Sequence, residues 1–96
     1  MNFLNFSFTK TPAEAAPVSP LHGAWVKKYL DEGIFIMAGG KTSGLGGLIA
    51  VKSIAKSQLR TILAEDPYLT EDIGEYQISE INITLTLPEY ESLKSV

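Results

Sequence analysis

Two apolar runs joined by a glycine-rich loop constrain the fold of this chain more than any other feature of its sequence. The runs are residues 34–38 (Ile-Phe-Ile-Met-Ala) and 48–51 (Leu-Ile-Ala-Val), and residues 39–47 between them include five glycines. Short apolar runs on either side of such a loop are typical of a β-hairpin. Because neither run alternates apolar with polar residues, both strands are predicted to be buried on both faces.

Alternation of apolar and polar residues predicts a further strand at each end of the chain. Residues 2–9 form an apolar face from Leu4, Phe6 and Phe8. Residues 76–87 predict a long last strand. The apolar phase shifts along this last segment, which indicates either a bulge or burial on both faces.

Two helices are predicted between these strands. The first has Ser19 as its N-cap, proline at its first helical position and Gly33 just after its end. The second covers about residues 55–65, and it ends before Asp66 because Pro67 disfavours helical geometry in the residue before it. Asp66 and Pro67 are then predicted to cap and begin a short helical turn.

The element order is β-α-β-β-α-β, which predicts an α+β, ferredoxin-like fold with a four-stranded antiparallel sheet and two helices on one face. One domain is expected over residues 1–87, followed by a C-terminal tail over residues 88–96. No helix remains to cover the other face of the sheet. A second copy, packed sheet against sheet, supplies that cover most simply, so we expect a homodimer.

Composition excludes several classes of protein. The 96 residues contain no cysteine and a single histidine, which excludes disulfides and sites built from thiolates or several histidines, and no metal or other cofactor is expected. A formal net charge of −3, with scattered basic residues, argues against a nucleic-acid partner. No apolar run approaches the roughly 20 residues of a membrane helix, and the start lacks a signal-peptide pattern, so a cytoplasmic protein with no membrane partner is expected.

The predicted topology brings three distant segments to one end of the sheet. They are the start of the first helix at His22, the glycine loop over residues 39–47, and residues 66–68. His22 lies in the middle of the apolar arc of its helix, so it is predicted to point inward. One interpretation pairs it with Asp66 for proton transfer. The other is a core histidine beside a helix-capping aspartate.

The order of several short motifs resembles the YCII-related (YciI-like) family over roughly residues 2–84. The motifs are Leu21-His22, Glu32-Gly33-Ile34-Phe35-Ile36, Ala38-Gly39, Gly46-Gly47, Asp66-Pro67-Tyr68 and Glu75-Tyr76. The resemblance implies a dimeric α/β barrel and a pocket centred on His22 and Asp66, lined by Tyr68 and Gly39. Gly23 and Gly40 stand where the family commonly has arginine and proline.

Two functions remain open for a chain with these residues. The first is a cofactor-independent small-molecule enzyme of lyase or isomerase type, in which His22 moves a proton, Asp66 orients the imidazole, and Gly39, Gly40 and Tyr68 contact the substrate. The second is a non-catalytic dimer that binds a small ligand or another protein.

Overall fold

The computed structural model describes the whole chain, Met1–Val96. Its strands are β1 (Asn2–Phe8), β2 (Phe35–Gly40), β3 (Gly46–Val51) and β4 (Gly74–Glu80). Its α-helices are α1 (Pro12–Ala15), α2 (Ser19–Asp31), α3 (Lys56–Leu63) and α4 (Pro67–Thr70), and a 3₁₀ helix over Pro88–Ser95 ends the chain. None of the helices is long and apolar enough to cross a bilayer.

The four strands form one antiparallel sheet in the order β2-β3-β1-β4. This order and the element sequence confirm the ferredoxin-like α+β fold. The main core lies between one face of the sheet and helices α2 and α3, where Trp25 Nε1 donates to the carbonyl of Ile62 at 3.0 Å. Its buried members are Leu4, Trp25, Tyr29, Phe35, Ile49, Val51, Leu59, Ile62 and Leu63.

The last strand is shorter than the sequence predicts. It ends at Glu80 rather than continuing to Leu87, and it contains no bulge. The reason is the length of its neighbour, because Glu80 already pairs with Asn2 at the beginning of β1. After a final bond from the Ile81 N–H to the Met1 carbonyl at 2.9 Å, no strand is left for the chain to pair with.

The hairpin turn is also tighter than the predicted glycine loop. Gly39 and Gly40 belong to β2, and Gly46 and Gly47 belong to β3, so the turn itself covers only residues 41–45. Glycine is required in this ladder by close approach of the backbones. A Cβ on Gly46 would lie 1.9 Å from the Phe6 carbonyl oxygen.

We therefore expect Gly46→Ala to lower the free energy of unfolding by about 1–3 kcal/mol, since a backbone carbonyl cannot move aside easily. Gly39→Ala is the matched control in the neighbouring strand, because a Cβ there meets nothing within 4 Å. That control is expected to stay within about 0.5 kcal/mol of the unsubstituted protein. Urea denaturation of both variants measures the difference, and equal midpoints would contradict the prediction.

Ser19 is the first residue of α2 and not its N-cap, which is Val18. The short helix α1 explains the change, since it begins with a capping box between Thr11 and Glu14 and ends just before α2. The Ser19 hydroxyl instead donates to the Ala15 carbonyl at 3.2 Å, within the turn that joins the two helices.

Candidate active site

The lone histidine and the predicted aspartate form a hydrogen-bonded pair. His22 Nδ1 lies 2.8 Å from Asp66 Oδ1, although the two residues are 44 positions apart in sequence. The Asp66 side chain is fully buried, whereas that of His22 is 21% exposed. Because an ionised carboxylate can only accept, a neutral imidazole in this pair donates from Nδ1 and has its lone pair on Nε2.

Local sequence explains how Asp66 reaches this position. Asp66 is the N-cap of α4, with Pro67 at the first helical position as the sequence predicts. Its Oδ1 accepts from the backbone N–H of Tyr68 at 3.0 Å, as well as from His22. The cap therefore fixes the carboxylate, and α2 brings the imidazole to it.

A third side chain, Tyr76 on β4, completes the hydrogen bonding of the carboxylate. Its hydroxyl donates to Asp66 Oδ2 at 2.6 Å. Burial, and next the hydrogen bond to Asp66, raise the pKa of the Tyr76 phenol far above its usual range. Tyr76 is therefore a neutral donor at all physiological pH values, and it holds the carboxylate rather than acting as a base.

Aromatic rings fix the plane of the imidazole. The His22 and Tyr68 rings are stacked with centroids 4.0 Å apart, and Tyr68 is in turn stacked on Phe6 at 5.1 Å. The Tyr68 hydroxyl lies 2.6 Å from the Ser19 hydroxyl, which ties α4 to the start of α2. His22 is thus held by a hydrogen bond on one edge and by a ring against one face.

A cavity of about 440 Å³ lies in front of this pair, between the start of α2 and strands β2 and β3. His22 is part of its wall, and Nε2 accepts no hydrogen bond within the protein. The other walls are mainly aromatic, aliphatic or glycine backbone, and they include Phe6, Phe8, Tyr68, Tyr76, Gly39 and Gly40. No lysine or arginine lines the cavity, and the chain has no cluster of metal-ligating side chains.

The structure brings together every site residue named from the sequence. His22, Asp66 and Tyr68 are in direct contact, and Gly39 and Gly40 line the same cavity from the edge of the sheet. Sequence reasoning did not name Tyr76 as a site residue, although Tyr76 begins the predicted last strand and belongs to the Glu75-Tyr76 motif. The available signal was a tyrosine in phase with Ile78 on the apolar face of the predicted strand, since a tyrosine hydroxyl that faces the core needs a partner.

Replacement of Tyr76 by phenylalanine tests how much its hydrogen bond to Asp66 contributes to stability. We expect the free energy of unfolding to fall by about 1.5–3 kcal/mol, because a partly buried hydrogen bond to a charged group is lost. Tyr90→Phe is the control, since Tyr90 lies in the 3₁₀ helix and is 52% exposed. Chemical denaturation compares the two variants, and equal losses would show that the Tyr76 hydroxyl contributes nothing specific.

No family model and no curated protein matches this chain. Among solved structures, it is similar to 5-chloro-2-hydroxyhydroquinone dehydrochlorinase (TftG) from Burkholderia phenoliruptrix AC1100, in a complex with 2,5-dihydroxybenzoquinone. The two share 11% sequence identity with a TM-score of 0.67, over 84% of this chain and 93% of the other. At that identity the likeness establishes the fold alone. This chain therefore has the same ferredoxin-like α+β fold as a small-molecule dehydrochlorinase.

Proposed function

We propose that this protein is a cofactor-independent, small-molecule enzyme of lyase or isomerase type, with His22 as its general base. The observation that carries the proposal is the partly buried hydrogen bond of 2.8 Å between His22 Nδ1 and Asp66 Oδ1 at the wall of a cavity. The aspartate fixes the tautomer, so the lone pair of Nε2 is the one basic group available to a molecule in that cavity.

The reaction we propose begins with transfer of a proton from a carbon next to a carbonyl group to His22 Nε2. The electron pair of the broken C–H bond forms an enolate, and Asp66 stabilises the resulting imidazolium. Return of the proton to a different carbon completes an isomerisation. Departure of an anion from the neighbouring carbon completes an elimination instead, with the proton released from the imidazole to solvent.

The cavity favours a small, flat and weakly charged substrate. Its volume of about 440 Å³ is near the lower end of the range for ligand pockets, roughly 300–1,000 Å³. Aromatic side chains form much of the wall and no cationic side chain lies there to bind a phosphate. The fold neighbour acts on a substituted hydroquinone, as its name states, and a hydroxylated or carbonyl-bearing six-membered ring suits this cavity as well.

Proton exchange tests the proposal whatever the final product of the reaction is. Cyclic 1,2- and 1,3-diketones and hydroxyquinones are incubated with the protein in D₂O, and loss of each exchangeable C–H signal is followed by NMR. We expect faster exchange for at least one compound with the unsubstituted protein than with His22→Gln. Saturable binding with no exchange by any compound would instead support the non-catalytic ligand-binding alternative.

We also propose that two copies associate through the sheet face that the helices leave open. Met37 on β2 is 52% exposed and Leu48 on β3 is 39% exposed, and the register places both on that face. Asn5 on the central strand β1 shares the same face, and its Oδ1 is buried with no donor within the chain. A partner sheet would cover the apolar side chains and offer donors to Asn5.

A further inference from the structure

A second cavity, of about 270 Å³, lies next to the one that His22 lines, which is here called the catalytic cavity. Pro12, Ala15 and Ala16 contribute to its wall from α1 and its C-cap, and residues 44–45 contribute from the hairpin turn. Lys10 and Ser19 are its polar lining residues. The proposed reaction leaves this second cavity without a role.

Phe8 is the one residue that lines both cavities. It is the last residue of β1, and the alternation of side chains along the strand places it on the helix face together with Phe6. Ser19 of the second cavity and Tyr68 of the catalytic cavity are also in contact, with their hydroxyls 2.6 Å apart. The two cavities are therefore neighbours, and the Phe8 ring stands between them.

The Phe8 ring is held by two other aromatic rings. It meets Phe6 edge to face, with centroids 5.0 Å apart and an interplanar angle of 86°, and Tyr68 with centroids 5.3 Å apart at 72°. Such edge-to-face contacts are favourable beyond the apolar area that they bury. The Phe8 N–H also donates to the Leu45 carbonyl at 3.0 Å, which fixes the backbone beside the turn. Phe8 is thus a fixed part of the wall.

The same tyrosine connects this wall to the candidate base. Tyr68 is stacked on His22 with centroids 4.0 Å apart, and its ring also contacts Phe8. A molecule that binds beside His22 therefore meets the Phe8 ring if it extends toward the hairpin turn. If the ring were smaller, a substituent on that molecule would enter the second cavity, where Ala15 and Leu45 offer an apolar surface.

We propose that Phe8 is a specificity-determining residue, which limits the catalytic cavity to single-ring molecules and excludes those with a bulky apolar substituent directed toward the hairpin turn. The inference rests on the proposed function, because it takes the ligand to be a small ring bound beside His22. It goes further by naming the side chain that sets the length of the substrate. A smaller side chain at position 8 joins the two cavities and moves the preference to longer compounds.

Two compounds that differ by one phenyl group measure this preference. They are cyclohexane-1,3-dione and 5-phenylcyclohexane-1,3-dione, in which the phenyl group lies opposite the reactive carbon. We expect Phe8→Ala to raise the affinity for the phenyl compound, relative to the parent compound, by about tenfold or more, since an additional aromatic group is buried. Phe8→Leu keeps more of the packing and is expected to shift the ratio in the same direction by less, so it serves if the alanine variant does not fold. NMR titration gives the dissociation constants.

Two further variants distinguish a joined cavity from a loosened one. Phe3→Ala removes the same side chain from the opposite face of β1, where it lines neither cavity, and is expected to leave the affinity ratio unchanged. Ala16→Leu, added to Phe8→Ala, fills the second cavity and is expected to abolish the gain. Ala16 has helical dihedral angles, φ −53° and ψ −43°, which a leucine adopts without strain.

The outcomes separate this proposal from the proposed function. An affinity ratio that is the same in the natural chain and in both Phe8 variants, or a gain that Ala16→Leu does not reverse, overturns the role of Phe8 and leaves proton transfer by His22 standing. The expected ratios without faster proton exchange of either compound support Phe8 as the limit of the cavity and contradict the general-base function.

Discussion

Replacement of His22 by alanine is expected to lower the rate of substrate proton exchange by about 10²–10⁴-fold, the usual contribution of a positioned general base. No other side chain at the cavity wall can take its place. Asp66 is fully buried and its two oxygens already accept three hydrogen bonds, and Tyr76 is a neutral donor. The measurement is deuterium exchange by NMR on the compound found with the unsubstituted protein.

His22→Gln distinguishes loss of the basic nitrogen from loss of the hydrogen bond between residue 22 and Asp66. Glutamine retains an amide group that can donate to Asp66, but it has no basic nitrogen. We expect it to lose exchange as alanine does while binding of the compound stays within a few-fold. Proton exchange that survives in both variants would show that His22 is not the general base. Loss of binding without loss of exchange would show that His22 only contacts the ligand.

Replacement of Asp66 by alanine is expected to lower the free energy of unfolding by about 3–5 kcal/mol, the range seen when one partner of a buried charged interaction is removed. The substitution removes the N-cap of α4 and leaves the hydroxyl of the half-buried Tyr76 without its acceptor. A domain of this size has about 5–15 kcal/mol in total, so the variant is close to unfolding at ordinary temperatures. Thermal and urea denaturation measure the loss.

Asp66→Asn distinguishes the structural and chemical roles of this carboxylate. The amide oxygen can still cap α4 through the Tyr68 N–H, so we expect most of the stability to remain. The negative charge that stabilises an imidazolium is gone, and we expect exchange to fall by about 10²–10⁴-fold. If the asparagine variant is as active as the unsubstituted protein, Asp66 serves only as the N-cap of α4.

Local sequence rules succeeded where one short segment determines its own geometry. Asp66 and Pro67 specify the start of α4 because the cap and its first turn are adjacent in the chain. The same rules were wrong for Ser19, because the neighbouring helix α1 places its hydroxyl against the Ala15 carbonyl instead. They were also wrong for the end of the last strand, whose length depends on where β1 begins.

The amino-acid sequence is enough to predict the order of the four strands and of helices α2, α3 and α4, though not α1, and that order brings His22 and Asp66 to the same end of the sheet. The distance of 2.8 Å between these two side chains, the hydrogen bond from Tyr76 to the other carboxylate oxygen, and the cavity beside them depend instead on how the elements pack. The physical reason is that these contacts depend on the register in which β1 pairs with β4. The pairing of Phe6 with Tyr76 across β1 and β4 positions the phenol beneath α4, and no local pattern encodes a contact between strands so far apart in the chain.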